Sequence, residues 1–237
     1  MNKIIELKNV YKDYWQAGTL QTVLHDITLD IAAGEFVAIV GPSGNGKTTL
    51  LNLLAGIDHP SRGEVIVNGA RLRKLRGEKL AVWRGGNVGI VFQFFQLLPS
   101  LNLLQNIVLP MDFHATLPKR QRRERAMHLL GLVGLANEAQ RLPSQVSGGQ
   151  QQRAAIARAL ANDPALIVAD EPTGNLDGAT AEAVFQLFAH LRDQGKTLVM
   201  ATHNEALAEA ATRKLEIRSG RIHADDSLYS AGPEAIH

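Results

Sequence analysis

Apolar and polar positions alternate along the start of the chain, through Ile5 and Leu7 and then Val23, Leu24, Ile27, Leu29 and Ile31, with turn chemistry around Gly18 and Gly34. A period of two predicts antiparallel strands. Phe36-Val37-Ala38-Ile39-Val40 is instead a continuous apolar run. It ends in a glycine-rich loop and passes into a helical pattern over Thr49 to Ala55, which reads as strand, loop, helix. The runs Val88 to Phe92, Ala165 to Ala169 and Thr197 to Ala201 predict further buried strands of a mainly parallel sheet, separated in part by helices such as Ala181 to Arg192. Between Leu97 and Leu160 the pattern turns helical, punctuated by Pro99, Pro110, Pro118, Gly131, Gly134 and Pro143. The expected fold class is α/β: a mainly parallel sheet, an N-terminal antiparallel β subdomain and an inserted helical subdomain over residues 97–160. One domain is expected over residues 1–225, and Asp226 to His237 read as a disordered tail.

Composition narrows the function classes. The chain has 237 residues, 45% hydrophobic and 20% charged, which suits an ordinary globular domain. A net charge of +2 argues against a dedicated nucleic-acid binder. The basic run Lys119-Arg120-Gln121-Arg122-Arg123-Glu124-Arg125 follows Pro118 at an expected helix start and reads as a solvated helix face. With no cysteine, disulfides and thiolate metal sites are excluded. The N-terminus turns polar too soon for a secretory signal, and no apolar stretch reaches the roughly 20 residues of a membrane span. The protein is therefore expected to stay in the cytoplasm.

Gly41-Pro42-Ser43-Gly44-Asn45-Gly46-Lys47-Thr48 fits the pattern G-x-x-x-x-G-K-[ST], and it lies between an expected strand and an expected helix, the context that pattern requires. Glycines let the backbone wrap closely, so that its N–H groups face a polyphosphate, and the helix N-terminus adds a partial positive charge. Lys47 is expected to reach the β- and γ-phosphates and the Thr48 hydroxyl to hold Mg²⁺. Thr49 is expected to assist at the α-phosphate.

Asp170 and Glu171 follow the apolar run ending at Ala169, at the end of a buried strand where open α/β sheets bind ligands. Buried carboxylates need partners. A nucleotide-borne Mg²⁺ supplies one for Asp170, and Glu171 is then the candidate general base for the attacking water. His203 follows the strand 197–201 and is a candidate γ-phosphate contact. Gln93 ends another strand and is a candidate sensor of Mg²⁺ and water.

Ser147-Gly148-Gly149-Gln150-Gln151-Gln152-Arg153 resembles the signature of ABC ATPases, L-S-G-G-Q-x-x-R, with Val146 where Leu is commonest. The resemblance covers nearly the whole chain, in the family's order: phosphate loop, Q-loop at Gln93, signature, Walker B at Leu166 to Glu171, D-loop Gly174-Asn175-Leu176-Asp177 and switch His203. It implies a P-loop NTPase core and ATP hydrolysis with Mg²⁺. It further implies a homodimer that sandwiches two ATP molecules, the Ser147–Gln150 turn of one copy facing the nucleotide of the other and Asp177 lying near the seam. It also casts Tyr14 as the aromatic that stacks on adenine, with Trp15 and Tyr11 as neighbouring alternatives. Asn45 stands where a Ser or small residue is usual, and Asn204 where Asp is common.

Through Phe92-Gln93-Phe94-Phe95-Gln96-Leu97-Leu98-Pro99 and Asp170 to Asp177 the chain is similar to the lipoprotein-release, macrolide-efflux and cell-division ATPases. That resemblance implies a peripheral protein on the cytoplasmic face of the inner membrane, with an integral membrane subunit docking near Phe94, Phe95, Leu97 and Leu98 and along Leu101 to Met111. Two alternatives remain open from sequence: an ATP-dependent regulator of a membrane enzyme, and a DNA-repair-type ATPase. The second usually carries a long coiled coil or a zinc insertion, and neither sustained heptads nor cysteines are present.

Overall fold

The computed structural model describes residues 2–16, 18–174 and 176–227. The antiparallel pair expected at the start is β1 (Lys3–Gln16) and β2 (Thr19–Ala32), paired from Lys3 opposite Ala32 to Gln16 opposite Thr19 with register shifts between Lys3 and Asp13. The apolar run forms β3 (Phe36–Val40), and the glycine loop leads into α1 (Lys47–Leu54). β4 (Arg62–Val67) and β5 (Ala70–Arg71) return to the first sheet, giving the order β2-β1-β4-β5. α2 (Gly77–Asn87) then feeds β6 (Val88–Val91).

Three helices occupy the expected insertion: α3 (Leu103–His114), α4 (Lys119–Leu132) and α5 (Gly148–Ala159). β7 (Leu166–Asp170), α6 (Gly178–Asp193), β8 (Thr197–Ala201) and the short α7 (Glu205–Glu209) complete the alternation. A hairpin of β9 (Arg213–Arg218) and β10 (Arg221–Ser227) closes the described chain. β10 takes in Asp226 and Ser227, the first two residues of the segment expected to be a tail, because they pair with Lys214 and Arg213. Residues 228–237 lie outside the described residues. No described helix is long and apolar enough to cross a membrane.

The second sheet has the order β10-β9-β3-β8-β7-β6, and its strands from β9 to β6 run parallel. Both of its faces are covered, which is why its strands read as unbroken apolar runs. Val37 and Ile39 of β3, Leu166 and Val168 of β7 and Val199 and Ala201 of β8 face the first sheet and α1. Their alternates Phe36, Ala38, Ile167, Ala169, Leu198 and Met200 face the helices. The parallel orientation has one functional consequence: the ends of β3, β6, β7 and β8 reach one edge together, where parallel α/β sheets place ligands.

The basic run of α4 is less solvated than its composition implies. Arg122 donates to Asp112 and to the Leu117 carbonyl, and Arg125 to the carbonyls of Leu160 and Ala161, so these two cations lock α4 to its neighbours. Arg120 and Glu124 form an exposed i,i+4 pair, worth only a few tenths of a kcal/mol, or about 0.3–0.5.

β6 lies hard against the end of α5. A Cβ on Gly89 would sit 2.5 Å from the Ala159 carbonyl oxygen and 3.0 Å from the Pro164 ring. Backbone cannot move aside as a flexible side chain would, so Gly89→Ala is expected to lower stability by about 1–3 kcal/mol, measured by urea unfolding. An unchanged midpoint would show that this contact does not limit the packing.

Candidate functional site

The phosphate loop leaves β3 at Gly41 and enters α1 through Gly46, whose φ of 98° suits glycine alone. α1 has no side-chain cap, so its first N–H groups remain donors for an anion. Lys47 is only 8% exposed. Its Nζ donates to the carbonyls of Gly41 at 2.7 Å and Pro42 at 3.1 Å. One buried cation and a crown of backbone donors thus sit at the same loop.

Asp170 ends β7 beside it, hydrogen-bonded by Thr48. Burial pushes the Asp170 carboxyl up and the Thr48 bond opposes this; Glu171 adds to the rise, while Lys47 counters it. A half-buried carboxylate facing a hydroxyl fits a Mg²⁺ site in which nucleotide phosphates and water would provide the other ligands. No cluster of three or more His, Asp or Glu side chains suited to a metal exists among the described residues. Gln93 lies two residues past Val91, the last residue of β6, which pairs with Ala169, so it follows the strand at the same edge of the sheet as Asp170.

Glu171 takes a left-handed backbone conformation, φ 46°, and donates its N–H to the Ala201 carbonyl at 2.9 Å. Its side chain meets His203: Nδ1 lies 2.8 Å from Oε1, and the His203 N–H donates to Oε2 at 3.3 Å. The carboxylate side chain is 12% exposed and the imidazole 70% exposed, so the ring shields one side of the carboxylate and stays accessible.

Tyr14 is held in place more firmly than an aromatic on an exposed strand end needs to be. Its hydroxyl donates to Asp58 Oδ2 at 2.7 Å, and Lys12 Nζ stands 4.6 Å from its ring centre. The phenol is pushed up to about 12, first by burial and then by the Asp58 carboxylate; a Thr49 hydroxyl contact works against the rise. Thr49 thus joins Tyr14 to α1, near the helix start where its α-phosphate role is expected. The Tyr11 ring is covered by Arg62 at 4.2 Å, and Trp15 lies exposed.

Ser147 caps α5. Its hydroxyl accepts from Gln150 N–H at 3.2 Å and its own N–H donates to the Gln150 side chain at 2.9 Å. This capping box leaves the N–H groups of Gly148 and Gly149 at the open helix end. Gly149 sits against Thr180, where a Cβ would come within 2.3 Å of Cγ2. Asp177 is the N-cap of α6, accepting from Thr180 N–H and hydroxyl; the former holds its carboxyl below the usual range. Signature turn and Asp177 are therefore one surface unit, carried on α5 and α6, while the phosphate loop is carried on α1, which packs on β7 and β8. Asn175 of the D-loop lies outside the described residues.

Residues 24–174 match the family described as ABC transporter. The chain belongs to that family. The cassette is 46% identical over 222 residues to a Thermotoga maritima protein named an uncharacterized ABC transporter ATP-binding protein, covering 94% of each chain. It is 44% identical over 219 residues to YknY of Bacillus subtilis, named likewise, covering 92% of this chain and 95% of that one. Among solved structures it resembles the dimeric post-hydrolysis state of the ATP-binding cassette MJ0796 bound to ADP and Pi, with TM-score 0.90, 39% identity and coverage of 96% and 100%. A second dimeric structure of MJ0796, titled a bacterial ABC transporter cassette, gives TM-score 0.90 at 40% identity with the same coverage. The cassette is thus an ATP-binding, ATP-hydrolysing subunit of the ABC transporter type, and ATP with Mg²⁺ is its general ligand set.

The segment after β6 gives Phe94, Phe95, Leu97 and Leu98 different surroundings. A cleft of ≈ 620 Å³ lies between α2, α3 and the segment after β6, but of the four expected residues only Leu98 lines it. Phe94 lies exposed on the surface, Phe95 turns to Gly148, and Leu97 packs on the core. The cause is local: Phe95 and Gln96 both take positive φ, 50° and 54°, reversing the chain. Arg158 of α5 fixes this reversal by donating to the Phe95 carbonyl at 2.9 Å and to that of Gln96. Buried Asn106 then pins Leu98, accepting from its N–H at 2.8 Å. Leu103, Leu104, Ile107 and Met111 are core. Arg158 and Asn106 had no motif to reveal them; a polar residue among apolar positions of α3 was the one available signal.

Proposed function

We propose that the cassette works as a homodimer that closes around two ATP molecules and drives an integral membrane subunit of the lipoprotein-release, macrolide-efflux or cell-division type from the cytoplasmic face of the membrane. The dimeric MJ0796 structures support the first part. Each triphosphate would lie between the Lys47 loop of one copy and the Ser147 turn of the other. Two donor surfaces carried on different elements of one chain are then used together by two chains.

In the reaction, Lys47 and the N–H groups of the loop hold and orient the phosphates, and Thr48 and Asp170 are the residues that would hold Mg²⁺. That ion supplies neutralisation of charge on the phosphate oxygens. Glu171 takes a proton from the attacking water, His203 keeps its carboxylate in place, and Gln93, at the same sheet edge, would sense the metal and water. Tyr14 would stack on the adenine.

The observation that carries the membrane reading is the apolar cleft. Val82, Phe92, Leu98, Leu109 and Phe113 line it, and Phe113 is 80% exposed. Such a surface is costly to leave in water and suits the apolar face of a short helix. The cleft also includes Phe92, one residue before Gln93, so a helix seated there would touch the segment that reaches the catalytic edge. A photo-crosslinking residue at Phe113 is expected to capture an integral membrane protein in cells. Capture of DNA, or of cytosolic proteins with no membrane protein, would overturn this reading.

A further inference from the structure

The phosphate loop is wedged between two strands at its glycines. A Cβ on Gly41 would lie 2.1 Å from the Ile217 carbonyl oxygen of β9, and one on Gly46 would lie 2.7 Å from Leu24 Cδ2 of β2. β9 and β10 join through the two-residue turn Ser219–Gly220, with φ of 46° and 71°, a geometry of tight hairpins. That turn is itself pressed onto β2: the His25 N–H donates to the Gly220 carbonyl at 2.8 Å, and a Cβ on Gly220 would come 2.2 Å from the Val23 carbonyl oxygen. The turn is a fixed post beside the loop.

Asn45 connects the two. Its Oδ1 accepts from the Ser219 N–H at 2.6 Å, and its Nδ2 donates to the carbonyls of Pro42 and Ser43, both at 3.1 Å. A loop that aims its N–H groups at phosphate must turn its carbonyls outward, and outward carbonyls need donors. Lys47 also serves the carbonyls of Gly41 and Pro42. When the ammonium turns to the phosphates, Asn45 is the side chain still holding Pro42 and Ser43.

We propose that Asn45 is a positioning residue for phosphate recognition, clamping the loop to the β9–β10 turn so that nucleotide binding and the order of this C-terminal hairpin are coupled. A serine or glycine at this position is too short to make all three contacts. The hairpin thereby becomes a handle on nucleotide affinity, whatever membrane subunit the cassette serves.

The test uses the full chain with Mg²⁺ and ADP as probe. Asn45→Ala is expected to weaken ADP binding about three- to tenfold, the worth of one net hydrogen bond. In the wild type, amide exchange over residues 216–221 is expected to slow when ADP is added, and in Asn45→Ala that slowing is expected to disappear. Asn45→Asp keeps the acceptor for Ser219 and loses both donors, so it should weaken ADP binding yet preserve the slowing at the hairpin. Wild-type ADP affinity in Asn45→Ala would overturn the proposal. So would exchange at the hairpin that ignores ADP in the wild type, or an affinity loss matched by a fall in melting temperature without nucleotide, which would mark Asn45 as a fold contact only.

Discussion

Glu171→Gln is expected to cut ATP turnover at least about a hundredfold, the lower end of what a positioned general base contributes, while ATP affinity changes less than about threefold, since no charge-assisted phosphate contact is lost. The amide has nearly the size of the carboxylate: its oxygen can still accept from the His203 backbone N–H, and its NH2 can donate to the ring nitrogen in the neutral tautomer that leaves Nδ1 an acceptor, so both contacts that place the group can be kept with the ring bond reversed. What disappears is the capacity to take a proton from water. Because ATP that is bound and not cleaved continues to bridge two copies, the variant should accumulate as a dimer in ATP, visible as a doubled mass by light scattering. Adding ADP in place of ATP should return the monomer. A variant that hydrolyses ATP at the native rate would remove Glu171 from the base role, and the partially buried Asp170, already committed to Thr48, would be the next group to examine.

Much of this site was legible because its chemistry sits at the ends of strands whose two covered faces make them unmistakably apolar. Once 36–40, 88–92, 165–169 and 197–201 read as parallel strands, Gly41, Gln93, Asp170 and His203 fall on one edge by geometry alone. The β9–β10 hairpin was not legible, because Arg213-Lys214-Leu215-Glu216-Ile217-Arg218 has only two apolar positions and one solvated face. β4 and α2 escaped for a related reason: each is short or mixed in polarity and owes its state to the surface it packs on. Missing the hairpin meant missing what Asn45 touches, since Ser219 is 174 positions away. A separation of 44 positions likewise hid Asp58 from Tyr14. The apolar cleft was half-legible: several of its apolar residues are near the Q-loop in sequence, but two successive positive φ values decide which of them face it, and neither Phe95 nor Gln96 advertises such a conformation.

Lys47→Ala should weaken ATP binding by about two orders of magnitude, since a charge-assisted hydrogen bond to phosphate contributes roughly 1.5–3 kcal/mol and the lost charge also acts at a buried position. Two effects add here. The first is direct: Lys47 is 8% exposed, so its attraction to a triphosphate is poorly screened by water. The second is structural: without Nζ, the Gly41 carbonyl loses its 2.7 Å partner, while Pro42 keeps Asn45. The loop should therefore loosen at its β3 end and stay anchored at its α1 end, where the N–H groups of the uncapped helix still attract phosphate. This separates the variant from Asn45→Ala by size and by site: the lysine loss should remove most affinity for ATP and ADP alike, yet leave exchange at the β9–β10 turn protected by the Asn45 contact in the absence of nucleotide. Isothermal titration with ATP and with ADP measures the first, hydrogen exchange the second. Unchanged ATP affinity in Lys47→Ala would mean that the phosphates do not lie in this loop, and the assignment of every residue around it would fall together.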